Sequence, residues 1–178
     1  LGTAFLMYAD DHNDLMVPNW LLDPRAWIDG TTGDLSTVTG ATNLIALKKG
    51  LLYKYNPNVG VYLCPTAGGK GPRDLPAWVR LVRNYSLEGR MGGASVGDKN
   101  RYGLPYDTEW VLGSRYPQYN KTAQVRTPSP SEAISFVDES IETLDDGYFA
   151  VNANSRTVWQ NSPTVRHGKS GVFGFVDG

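Results

Sequence analysis

The chain has little with which to staple itself or to do chemistry: one cysteine, Cys64, and two histidines, His12 and His167, in 178 residues. One thiol closes no disulfide within the chain, so Cys64 reads as a small buried side chain and cohesion falls to the apolar core. The histidines have no H-E-x-x-H spacing, no serine nucleophile elbow accompanies them, and Cys64 is followed by Pro65; only residues brought together from afar would make a Cys–His pair. No residue is assigned a catalytic role. The formal net charge of -1 supplies no basic field for nucleic acid or anionic lipid. No apolar run reaches the roughly 20 residues that span a bilayer as a helix, and no repeat divides the chain.

Glycine and proline are abundant, 20 and 11, and their spread favours short strands and long loops over a helical bundle. The chain is long enough for one core, so residues 1–178 read as a single α+β domain. Leu1, Ala4, Phe5 and Tyr8 share one helical stripe that fades into Asp10-Asp11-His12-Asn13-Asp14, which predicts a first helix over residues 1–14. Those acids fail the calcium-loop pattern, because Leu15 and Met16 stand where oxygen ligands or glycine are needed. Residues 15–58 then read as a crossover. It holds a loop over 15–39 pinned by aromatic side chains, and a helix from Thr42 or Asn43 to Tyr55 that Gly50 weakens.

Residues 59–178 carry the strand signals: 59–63, 84–88, 133–137, 147–151 and 172–176. The glycine-rich stretch 67–72 lacks phosphate-loop spacing and reads as a linker. A polar insertion over 89–119 contains Trp110. The plan is an antiparallel sheet whose apolar face is covered by the amphipathic first helix.

The last thirteen residues, Arg166-His167-Gly168-Lys169-Ser170-Gly171-Val172-Phe173-Gly174-Phe175-Val176-Asp177-Gly178, set a histidine nine residues before an Asp-Gly turn. This stretch resembles the H-x9-D-G signature near the C-terminus of prepilin-like, type II secretion pseudopilin-like proteins of bacteria. Residues 1–14, Tyr62-Leu63-Cys64-Pro65 and Arg83-Asn84-Tyr85-Ser86-Leu87 follow in the same order as that family's other motifs. The resemblance implies a type IV pilin-like fold, with the outer half of a long helix on a small sheet. It implies a non-catalytic subunit of a pseudopilus or pilus-like filament, held by other pseudopilin subunits through the first helix. The full-length precursor would be anchored in the inner membrane by an apolar N-terminal helix, matured by a prepilin peptidase, and would carry this domain in the periplasm or at the cell surface. The family often has a second cysteine just upstream, so the resemblance also raises a disulfide partner for Cys64.

Candidate site residues follow. His167 is expected to bond a carbonyl or carboxylate and fix the preceding loop against the sheet. Nine extended residues would hold it on the order of 30 Å from Asp177, so Asp177 and Gly178 are expected to serve their own turn. Asp138, Glu139 and Asp177 are candidate calcium ligands, because some pseudopilins bind calcium near their C-terminal loops. The alternative function is a carbohydrate- or ligand-binding module, with Trp20, Trp27 and Trp110 as exposed stacking platforms. Loops 15–39 and 89–125 are expected to face neighbours or cargo.

Overall fold

The computed structural model describes residues 1–30, 34–67, 75–93, 118–151 and 159–178. Helix α1 (Gly2–Asp11) buries Ala4, Phe5, Tyr8 and Ala9, the stripe that the periodicity marks. It ends where His12 Nδ1 bonds the Tyr8 carbonyl at 2.7 Å and its ring stacks on Tyr8. Asn13 and Asp14 follow with positive φ, a conformation that short polar side chains tolerate better than most. No helix among the described residues is long and apolar enough to cross a membrane.

Four strands form one sheet: β1 (Tyr85–Glu88), β2 (Ile134–Asp138), β3 (Tyr148–Phe149) and β4 (Phe173–Phe175), in the order β3-β1-β2-β4. β2 is flanked by antiparallel partners, with Tyr85 opposite Asp138 on one side and Val137 opposite Phe173 on the other. The expectation of a wholly antiparallel sheet is corrected at β3, which runs parallel to β1 with Leu87 opposite Tyr148. Residues 139–147 carry the chain past the end of β1, and Gly147, at φ +93°, turns it into register beside Leu87.

The main core joins Phe5 of α1 and Leu87 and Phe136 of the sheet through crossover residues, among them Met16, Val17, Leu52 and Tyr62. Phe5 meets Phe136 edge to face at 6.0 Å, and Trp27 meets the same ring at 5.4 Å. Each such side chain contributes roughly 1.5–3 kcal/mol on burial. Trp27 is 1% exposed, which removes it from the stacking platforms: its neighbours Ala26 and Ile28 are also buried, so this part of the loop is core. Met16, Val17 and Leu35 are buried as well, whereas Leu15 and Leu22 are exposed, so the described part of residues 15–39 is in part core and not wholly a surface loop.

Two local readings change. Residues 59–63 have the composition of a strand, but Val59–Tyr62 forms a 3₁₀ turn, because the Asn58 side chain accepts the Gly60 N–H and caps it. The second helix, expected to reach Tyr55, is shortened to α3 (Leu44–Lys49), and a further short helix, α2 (Val38–Ala41), begins within the stretch expected as loop. Asn43 caps α3 by accepting the Ile45 N–H. α3 stops at Gly50, whose Cα lies against the Trp27 carbonyl where a Cβ would collide.

Candidate functional site

The end of β2 gathers side chains from three distant parts of the chain. Asp138 is fully buried and its Oδ2 lies 3.0 Å from His167 Nε2. A carboxylate only accepts, so Nε2 carries the proton of that bond. His167 is held there by the turn it opens: its N–H donates to the Ser170 carbonyl, and Gly168 and Lys169 both have positive φ. Cys64 enters from the turn after Tyr62, with Sγ 3.4 Å from the same Nε2 and 3.1 Å from Thr66 Oγ1.

Asn84, directly before β1, ties the group together. Its side-chain carbonyl accepts the Cys64 N–H at 2.5 Å and its amide donates to Asp138 Oδ1. Arg166 approaches that same Oδ1 at 3.4 Å while Nη2 donates to the Glu139 carbonyl at 2.8 Å. Tyr85 borders the group, and its hydroxyl is pushed up to about 12 by burial and then by Cys64 and Asp138. Among the described residues, Cys64, Asp138 and His167 are the one set of three or more His, Cys, Asp or Glu whose ligand atoms all lie within 4.8 Å of one another.

The geometry does not suit a cysteine nucleophile. In a Cys–His–Asp relay one ring nitrogen takes the thiol proton while the other is held by the carboxylate. Here Nε2 faces both Sγ and Oδ2, so the ring offers no path between them.

Glu139 points elsewhere. Its carboxylate accepts from Ser86 Oγ at 2.5 Å, Asn161 Nδ2 at 2.7 Å and Thr143 Oγ1 at 2.9 Å. Burial pushes it up to about 8 against the pull of those donors. Beneath it lies Arg83, fully buried, donating to the Tyr85 and Asp145 carbonyls. Asp138 and Glu139 thus face opposite sides of the sheet end, and exposed Asp177 joins neither. The structure does not gather the three candidate calcium ligands.

The other end of the C-terminal stretch meets the first helix. Gly2 and Gly178 are packed so closely that a Cβ on Gly2 would lie 3.2 Å from the Gly178 Cα, and one on Gly178 would lie 2.8 Å from Leu6 Cδ1. The Gly178 N–H closes its turn on the Phe175 carbonyl. Trp20 is half-buried with the Arg25 guanidinium over its ring at 4.9 Å, and Trp110 lies outside the described residues. An apolar groove of about 490 Å³ opens beside β2, walled by Tyr119, Phe149, Trp159 and Phe173. Trp159 is 60% exposed.

No family model, no curated protein and no solved structure matches the chain. The sequence pattern marks His167 and two of the stretches that meet it, but not Asn84 and Arg166 as anchors of Asp138. The Arg83-Asn84-Tyr85 motif was the signal that pointed to Asn84.

Proposed function

We propose that the chain is the globular part of a pseudopilin-like structural subunit without catalytic function. The observation that carries this reading is convergence. The four stretches on which the resemblance rests meet in space: Cys64, Asn84 and His167 around Asp138, and Gly178 against Gly2 and Leu6 of α1. The C-terminal stretch is therefore a strut, with its histidine pinned to the sheet and its glycine to the helix. The packing of Phe5 on Phe136 supports the same arrangement. Met7, 46% exposed on the outer face of α1, is available to a neighbouring subunit.

On this reading a longer apolar helix anchors the full-length precursor in the inner membrane. A prepilin peptidase shortens it, and the domain stands on the periplasmic or outer face. The test is co-expression of the full-length gene product with a prepilin peptidase. Recovery in the inner-membrane fraction with a shift to a shorter form supports the proposal; a freely soluble, unprocessed product overturns it.

The groove at Trp159 favours a second reading, a glycan-binding module whose exposed ring stacks on a sugar face. A glycan array bound by the domain and lost on Trp159→Ala would establish it. An array with no signal would remove it.

A further inference from the structure

We propose that Cys64, Asp138 and His167 form a binding site for a divalent transition-metal ion of the zinc class. A four-coordinate ion with bonds of about 2.3 Å to sulfur and about 2.0–2.2 Å to nitrogen and oxygen sets its ligand atoms roughly 3.3–3.6 Å apart. Sγ stands 3.4 Å from Nε2, and Nε2 stands 3.0 Å from Oδ2. The third pair, Sγ and the Asp138 carboxylate, lies within 4.8 Å, so all three donors can converge on one ion. One sulfur, one imidazole nitrogen and one carboxylate oxygen are a mixed donor set that suits zinc or cobalt, whereas calcium and magnesium take oxygen.

The surroundings support the donors as outer-shell groups support metal ligands. Asn84 fixes the Cys64 backbone and, with Arg166, occupies Asp138 Oδ1, which leaves Oδ2 facing the imidazole and the thiol. Thr66 Oγ1, on the exposed rim, lies 3.1 Å from Sγ and 3.5 Å from Nε2. Solvent held at that hydroxyl supplies the fourth ligand. Binding releases the Cys64 S–H proton to solvent and transfers the imidazole proton from Nε2 to Nδ1, which frees the Nε2 lone pair for the ion. No electron moves. The ion staples the turn after Tyr62, the end of β2 and the turn before β4, and this inference does not rest on the filament reading.

The experiment is titration of the reduced, metal-free domain with Co²⁺ and then Zn²⁺. One equivalent of cobalt should give a thiolate-to-metal charge-transfer band that zinc abolishes. Zinc at about a thousandfold excess over its Kd should raise the Tm by on the order of 10 °C. Cys64→Ser and His167→Gln should each lose the band and weaken zinc at least tenfold, while Asp177→Asn should keep both. A wild-type measurement stands beside the variants: Cys64 is the one cysteine of the chain, and zinc should slow its alkylation. The proposal is overturned by absence of the band with unchanged alkylation, by an equal response in Cys64→Ser, or by a Tm raised by calcium and not by zinc.

Discussion

Asn84 holds Asp138 by its amide and the backbone N–H of Cys64 by its carbonyl, so one planar group sets the separation of two chain segments. Asn84→Ala removes both bonds and leaves a buried carboxylate with less support, at a cost of about 2–4 kcal/mol. Asn84→Asp keeps the acceptor for Cys64 but sets a second carboxylate against Asp138. It should therefore unfold at lower urea than Asn84→Ala at pH 7 and recover part of the difference near pH 4. Equal midpoints for the two variants at both pH values would refute this account.

Gly50 separates two opposite expectations. As a mid-helix glycine it would gain up to about 1 kcal/mol on replacement by alanine. Its contact with the Trp27 carbonyl predicts the reverse, a loss of about 2 kcal/mol or more, since backbone must move to admit the methyl group. Thermal unfolding of Gly50→Ala decides by its sign.

Stability should fall as pH rises from about 5 to about 8. Burial pushes Glu88 up to about 7 and Glu139 up to about 8 from an ordinary value of 4.5. Burial and then Asp145 raise Asp146 to about 7 from 3.8. In this window the native state keeps protons that the unfolded chain has released. The contribution is full below the unfolded values and is lost as pH passes the folded ones, by up to about 1.4 kcal/mol per acid per pH unit. Urea midpoints across this range should decline, and Glu88→Gln should flatten the profile. A profile that rises toward pH 8 would contradict the assignment.

Phe5 is fully buried at the centre of α1. Phe5→Ala should cost about 3–5 kcal/mol, and hydrogen exchange should then speed up along α1 before it does in β1 and β2. Uniform acceleration of helix and sheet would mean that the two open as one unit.

Much of the fold is legible because it depends on local pattern. The helical stripe of Leu1, Ala4, Phe5 and Tyr8 and the aromatic and branched runs at 85–88, 134–138 and 173–175 specify their elements by periodicity alone. What fails depends on neighbours that the pattern does not contain. Residues 59–62 have strand composition, but the Asn58 side chain turns them into a 3₁₀ turn. Trp27 reads as a loop aromatic until Tyr62 and Phe136 enclose it. At the site, His167 is legible through its place before a strand, whereas its meeting with Cys64 spans 103 positions and has no local sign.

The packing of Phe5 on Phe136 also imposes an order of events during synthesis. The two residues lie roughly 130 positions apart, and a ribosome needs on the order of ten seconds to cover that distance. Until then the stripe of α1 has its crossover partners, among them Tyr55 beside Tyr8, but not the ring from β2 that closes over Phe5. Helix α1 is therefore synthesised well before the strand that completes its enclosure.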